Sequence, residues 1–325
     1  MSHNMIEVKG LTKIYSEHKV VDSIDFSIKN GKIYAIVGRN GAGKSTVLKI
    51  LTTVLKPSSG EVILDGVDVV KEPLVARFKF GYVPQGGSVD EKLTGKENLY
   101  IQAKLYHMDA HSIKSKVDEV LHLTNLEKDS DRIVSEYSGG MKKRLEIACA
   151  LINVPKILFL DEPTVALDVE SRKEIWNYIK KLNKQLGMTV FLTTHYLDEL
   201  EDVCDELIIM DDGKIVVSDT PMNLKRTIGE EIIEIVLGEN FVNEYEVISQ
   251  KLESENFIKG IKNIDKKVIL ALEDAGKFIS EIYKIISDLG IEVHSISMKK
   301  VTLEDVYLSY VGRQFNYFDS DVRRR

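Results

Sequence analysis

Gly38, Gly43, Lys44 and Ser45 stand at the spacing Gly-x-x-x-x-Gly-Lys-[Ser/Thr] inside the stretch "IVGRNGAGKST". Those residue types at that spacing are suited to holding phosphate. The glycines let the backbone curl, so that successive N–H groups from Gly38 through Arg39, Asn40, Gly41, Ala42 and Gly43 turn toward phosphate oxygens. A helix opening at Lys44, Ser45 and Thr46 adds the positive end of its dipole. Lys44 is expected to bridge the β- and γ-phosphates, and Ser45 to offer its hydroxyl to Mg²⁺. The loop alone leaves the reaction open.

A second group narrows the chemistry. "KILFLDEP" is an apolar run ending in Asp161, Glu162 and Pro163. A strand of that kind delivers the Asp161 carboxylate to the carboxyl edge of a sheet, beside a phosphate loop, where a Mg²⁺ ligand is needed. Glu162, the next residue, is placed to polarise a water for attack on the γ-phosphate. A third group is "YSGGMKKRLEIACALI". There Ser138, Gly139 and Gly140 precede an amphipathic helix, and read either as an ordinary N-cap or as a second anion-binding helix start. A chain with one nucleotide loop and a separate glycine-rich helix start suggests a phosphate clasped between two copies of the protein.

These groups need elements to position them. "MIEVKGLTKIY" and "VVDSIDFSIKNGKIYAIVG" alternate apolar and polar residues as short strands do, and "GKIYAIVG" reads as the buried strand feeding the phosphate loop. "TVLKILTTVLKP" predicts a helix from Thr46 to just before Pro57, and "SGEVILDGVDV" a hairpin turning at Asp65-Gly66. Residues 87–155 change texture. "ENLYIQAKLYHM" and "SIKSKVDEVLHLTNL" are amphipathic, which predicts a helical insertion. The strand–helix rhythm then resumes. "VESRKEIWNYIKKLNKQLG" predicts a helix burying Ile175, Tyr178, Ile179, Leu182 and Leu186 and capped by Gly187, and "MTVFLTTH" predicts a second buried strand. This alternation implies an α/β domain with a largely parallel sheet. Beyond about residue 220, the segments read β, α, β, β, α, β, the order of a ferredoxin-like α+β module, with a closing helix at "LEDVYLSYVG". We place the phosphate-loop domain at 1–220, the module at 221–313 and an aperiodic tail at 314–325.

Composition sets limits on function. With 325 residues, 43% hydrophobic and 29% charged, the chain has ample length for buried cores in two or three domains. A net charge of −7 argues against a nucleic-acid binder relying on bulk basicity. Cys149 and Cys204, the two cysteines, sit in apolar, helix-like contexts and read as buried reduced thiols. The N-terminus lacks an apolar signal core, and no run reaches the roughly 18 apolar residues of a membrane span. The expected location is cytoplasmic.

The motifs in order resemble the ATP-binding subunit of an ABC transporter over residues 5 to 220. The phosphate loop is similar to the family's Walker A motif, "ILFLDE" to Walker B and "YSGGM" to the signature. By the same resemblance "VPQ" places Gln85 in the Q-loop, "ALD" places Asp168 in the D-loop, "TTH" places His195 in the H-loop, and Tyr15 stands where an aromatic stacks on adenine. The resemblance implies a P-loop NTPase fold with an N-terminal antiparallel β subdomain and a helical insertion, and ATP and Mg²⁺ as ligands. It implies that Gln85 reaches Mg²⁺ or the attacking water, and that His195 bonds the γ-phosphate and orients the Glu162 water. Ser138, Gly139 and Gly140 are then expected to contact the γ-phosphate held by the opposite subunit of a homodimer. An integral membrane permease is the implied partner, placing the chain peripherally on the inner face of the membrane. Nucleic acid is not an expected partner.

Three residues depart from the commonest family pattern: Arg39 stands for proline, Met141 for glutamine and Tyr137 for leucine. "YSGGMKKRLEIA" and the ending "TLEDVYLSYVGR" resemble the daunorubicin-type, multidrug-resistance branch of exporters. The C-terminal module is then either a packing or dimer-stabilising appendage or a sensor. Two other classes remain. A soluble ABC ATPase of DNA or ribosomes typically adds a coiled coil, zinc-binding cysteines or a second cassette, none of which the sequence shows. A P-loop kinase or GTPase leaves "YSGGM" and "TTH" without meaning.

Overall fold

Alternating apolar residues at the start of the chain fold as two long antiparallel strands, β1 (Asn4–Tyr15) and β2 (His18–Lys29). The computed structural model describes residues 4–238, 241–264 and 267–311; the tail expected at 314–325 lies outside them. The chain divides into two compact units, Met1–Ser218 and Asp219–Arg325.

In the first unit β3 (Ile33–Val37), fully buried, runs into the phosphate loop and α1 (Lys44–Leu51). Helix α1 ends at Leu51, short of the helix expected to reach Pro57. Thr52 turns its hydroxyl back onto the Leu48 carbonyl and Thr53 takes a left-handed φ of 59°, so the carbonyl of Lys49 is capped by the N–H groups of Val54 and Leu55. β4 (Ser59–Leu64) and β5 (Val67–Asp68) follow, and the turn between them has positive φ at both Asp65 (45°) and Gly66 (80°). Those are the dihedrals that an Asp-Gly hairpin turn demands. With β1 and β2 they make an antiparallel sheet of order β2-β1-β4-β5.

After the short α2 (Pro73–Arg77) and β6 (Phe80–Val83), the chain enters the helical region of α3 (Gly95–Leu105), α4 (Ala110–Thr124) and α5 (Gly139–Leu151). Helix α3 starts where it does because Thr94 and Glu97 form a reciprocal capping box. β7 (Ile157–Asp161), α6 (Val169–Leu186), β8 (Thr189–Thr194), β9 (Glu206–Asp211) and β10 (Lys214–Asp219) complete a six-stranded sheet of order β10-β9-β3-β8-β7-β6. The pairs β3–β8, β3–β9, β6–β7 and β7–β8 are parallel. Asp168 caps the start of α6, and Gly187, at φ 60°, stops it. Ile175, Tyr178, Ile179 and Leu182 are buried as the periodicity predicts, but Leu186 is 40% exposed. The buried stripe ends at Asn183, whose amide donates to the carbonyls of Gly31 and Met188. Trp176, outside the expected stripe, is buried.

The two sheets close over one core that includes Ile6, Leu48, Phe159, Phe191 and Met210. Fully burying each such side chain contributes about 1.5–3 kcal/mol. Cys149 and Cys204 are both buried, and burial pushes each thiol up to about 12. Cys149 lies on α5, whereas Cys204 lies in the turn before β9 rather than in a helix.

The second unit opens with α7 (Pro221–Arg226) and continues as β11 (Glu231–Leu237), α8 (Phe241–Leu252), β12 (Gly260–Ile264), β13 (Lys267–Leu272), α9 (Ala275–Asp288), β14 (Val293–Lys300) and α10 (Leu303–Val311). Its antiparallel sheet has the order β12-β13-β11-β14, the ferredoxin-like arrangement. Helices α8 and α9 bury Ile248, Leu252, Ile282 and Ile286 against it.

Candidate active site

The phosphate loop is shaped by glycines that nothing else could replace. A Cβ on Gly38 would lie 2.2 Å from the Met210 carbonyl oxygen, and one on Gly43, at φ 101°, 2.5 Å from the Val20 carbonyl oxygen. Both contacts are with backbone, so the loop is wedged between β9 and the start of β2. Lys44, only 5% exposed, donates to the carbonyls of Gly38 (2.7 Å) and Arg39 (3.0 Å). Burial pushes its ammonium pKa down, against the opposing pull of the Glu162 and Asp161 charges. A buried cation held by neutral carbonyls is poised to exchange them for an anion. Arg39 is exposed at the loop's mouth, with Asn40 and Gly41.

β7 and β8 bring the acids to the loop. Asp161 is in register with Thr193 across the parallel pair. The Thr193 hydroxyl donates to Asp161 Oδ1 at 2.6 Å, and the Ser45 hydroxyl approaches the same oxygen at 3.3 Å. Ser45 and Asp161 are hard oxygen donors, the chemistry a small divalent cation with phosphate and water ligands takes. Glu162 is 7% exposed and sits at φ 51°, a left-handed conformation costly for glutamate. Its N–H donates to both the carbonyl and the hydroxyl of Thr193 (3.1 Å each), and its Oε2 lies 2.6 Å from His195 Nδ1. The expected base and the H-loop histidine are thus a hydrogen-bonded pair one residue beyond Asp161.

Ser138 caps α5 by accepting from the Met141 N–H at 3.2 Å. Gly139 and Gly140 lie against the start of α6: a Cβ on Gly139 would meet Leu167 Cδ2 at 3.0 Å, and one on Gly140 Ser171 Oγ at 3.5 Å. Asp168 is exposed and accepts from Ser171 N–H (2.9 Å) and Oγ (2.7 Å), bonds that hold its carboxyl below the usual range. The signature and the D-loop therefore share one patch, and among the described residues Ser138, Gly139 and Gly140 make no direct hydrogen bond to Lys44 or Glu162. Tyr15 is 45% exposed at the β1–β2 turn, with the Lys13 ammonium 5.1 Å from its ring centre. Gln85 is exposed just after β6. The departure at Tyr137 has a structural reason: its hydroxyl donates to the Asp129 carbonyl at 2.6 Å and fits against Gly95, where a Cβ would lie 2.4 Å from it. Thr193 was missed by sequence reading; its signal was a hydroxyl in "TTH", on the strand that leads into the histidine.

A phosphate loop between β3 and α1, with an acid pair at the end of β7, defines a P-loop NTPase of the ATP-binding cassette class. The ABC transporter family model matches residues 21–165. The daunorubicin resistance ATP-binding protein DrrA3 of Streptomyces coeruleorubidus is 33% identical, over 96% of this chain and 97% of that protein. The linearmycin resistance ATP-binding protein LnrL of Bacillus subtilis (strain 168) is 31% identical, over 95% and 99%. The dimeric ATP-binding cassette MJ0796, solved in a post-hydrolysis state with ADP and Pi, is 30% identical with a TM-score of 0.60, over 66% of this chain and 98% of that one. This chain belongs to the family of ABC transporter ATP-binding proteins. It is an ATPase, and it resembles the daunorubicin-resistance branch along nearly its whole length.

Proposed function

We propose that this chain is the ATP-hydrolysing subunit of an exporter. It forms a homodimer around two ATP molecules on the inner face of the membrane, and its cycle of closing and release drives a separate membrane permease. The observation that carries the reading is the Glu162–His195 pair, held beside Ser45, Asp161 and the buried Lys44. Lys44 and the loop N–H groups neutralise the β- and γ-phosphates. Ser45, Asp161 and Gln85 would hold Mg²⁺, which supplies charge neutralisation between those phosphates. Glu162 orients and deprotonates the attacking water, and His195 fixes the carboxylate while reaching toward the γ-phosphate. Tyr15 gives the adenine a flat face. Ser138, Gly139 and Gly140 present a helix start to the γ-phosphate of the opposite subunit, and Asp168 lines the same interface.

A permease partner is supported by a groove of about 580 Å³ between the sheet and the helical region, lined in part by Leu74, Phe78, Leu105 and Tyr106. Leu74 and Leu105 at this groove are 70% and 68% exposed, which supports a docking surface for another protein. Among the described residues no helix is long and apolar enough to cross a membrane. Full-length resistance relatives favour a drug-like cargo. The test is a pull-down of the tagged chain from solubilised membranes. Co-purification with a multi-span protein is expected; co-purification with ribosomes or DNA would overturn the assignment.

A further inference from the structure

Behind the Glu162–His195 pair the structure closes a ring of side chains. Glu199, in the turn after β8, has a side chain only 11% exposed. Its Oε2 accepts from Thr164 Oγ1 at 3.0 Å and from Trp176 Nε1 at 2.6 Å, and its Oε1 accepts from Arg172 Nη1 at 3.3 Å. Arg172 also donates through Nε to the Leu167 carbonyl at 2.9 Å, and its guanidinium lies 4.3 Å from the ring centre of Tyr196. Tyr196 is next to His195 in sequence, and their rings pack 4.1 Å apart. The path closes on itself: Glu162, two residues on to Thr164, Glu199, Arg172, Tyr196, His195 and back to Glu162 at 2.6 Å.

From this geometry we propose that Glu199 and Arg172 are positioning residues for hydrolysis, holding Glu162 and His195 in line with the D-loop. The inference rests on the assignment of Glu162 as the base. Glu162 occupies a left-handed backbone conformation that persists only when its surroundings over-determine it. Thr193 fixes it from the β8 side, and the ring fixes it from the α6 side. Arg172 ties the D-loop to the turn after β8 by three contacts: it bonds Leu167, immediately before Asp168, it bonds Glu199, and it stacks on the neighbour of His195. A shift of the D-loop on dimer closure is therefore transmitted to the base by direct contacts. Neither residue reaches the phosphate loop, so the ring acts on the chemical step and not on nucleotide affinity.

The test is steady-state and single-turnover ATP hydrolysis by the full-length chain, with thermal unfolding as the control for folding. Glu199→Ala is expected to lower kcat by roughly ten- to a hundredfold, the scale of a misplaced catalytic group, with KM for ATP nearly unchanged. Glu199→Gln, which still accepts from Thr164 and Trp176, is expected to restore much of that loss. In a Glu162→Gln background, Glu199→Ala is expected to cost nothing further, because its effect runs through Glu162. Arg172→Lys keeps a cation but loses the planar fork whose separate nitrogens bond Leu167 and Glu199. It is expected to lower kcat at constant KM, and serves if Glu199→Ala unfolds. Wild-type kcat in folded Glu199→Ala or in Arg172→Lys, a loss appearing in KM, or an undiminished loss in the Glu162→Gln background would each overturn the ring. Glu162→Gln alone reports on the base: wild-type turnover there overturns that assignment and the ring with it. Lost turnover in Glu162→Gln beside full turnover in Glu199→Ala overturns the ring only.

Discussion

In the proposed mechanism Lys44 serves binding and Glu162 serves chemistry, and single substitutions separate the two. Lys44 is a buried ammonium resting on two carbonyls, so its charge is free to serve phosphate. Lys44→Ala is expected to weaken ATP binding by roughly ten- to a hundredfold, the worth of one charge-assisted hydrogen bond. A fluorescent-nucleotide titration checks this, and unchanged affinity removes Lys44 from the site. Glu162→Gln keeps the shape of the side chain but removes its basicity. Turnover is expected to fall by roughly 10²–10⁴-fold, with ATP binding intact and the dimer trapped by unhydrolysed nucleotide. Gel filtration with ATP should show a larger species than without it. At this scale the sequence was most legible for the placement of residues inside contiguous motifs, since Lys44, Ser45, Asp161 and Glu162 are positioned by their immediate neighbours. The contacts of Thr193 and Glu199 were not legible, because they arise from a register and a turn that only the fold creates.

The elements follow from patterns that single segments carry, and misreadings occur where local geometry overrides periodicity. The Asp65-Gly66 turn was foreseen from its residue pair. Unforeseen was that Asp65, 8% exposed at its side chain, takes ion pairs from Lys79 (3.0 Å) and Lys156 (2.9 Å). Burial pushes its pKa up, yet the two lysines outweigh burial and hold the carboxyl below the usual carboxylate range. The sign follows: this stabilisation is present in full above the unfolded value and is lost as pH falls through the lower folded one. Asp65→Asn preserves the left-handed turn while removing the charge, and is expected to cost about 1 kcal/mol at pH 7. By calorimetry the melting temperature should fall by about 2–4 °C at pH 7. That difference should shrink toward zero below pH 4; a difference independent of pH would assign the effect to the turn instead. Helix α1 shows the opposite lesson. Its apolar spacing ran on toward Pro57, but a threonine pair ended it at Leu51, and hydroxyl-to-backbone competition is invisible to hydrophobic periodicity.

For the whole molecule, the arrangement of the sites decides the mechanism. Ser138, Gly139 and Gly140 share a patch with Leu167 and Ser171 at the start of α6, while Lys44 and Glu162 sit with the phosphate loop. Among the described residues no hydrogen bond runs directly from Ser138, Gly139 or Gly140 to Lys44 or Glu162, which suits a site whose halves come from different subunits. The central claim is therefore a composite ATP site, and subunit mixing tests it most directly. Lys44→Ala spoils the phosphate loop, and Gly139→Asp places a carboxylate at the helix start meant for the γ-phosphate. Each variant alone should be inactive. In a mixed dimer, one composite site joins the intact loop of the Gly139→Asp subunit to the intact signature of the Lys44→Ala subunit. Mixing equal amounts should therefore restore about a quarter of the wild-type hydrolysis rate per chain. If each site is instead complete within one subunit, every site in the mixture carries a lesion, and no recovery on mixing would contradict the account.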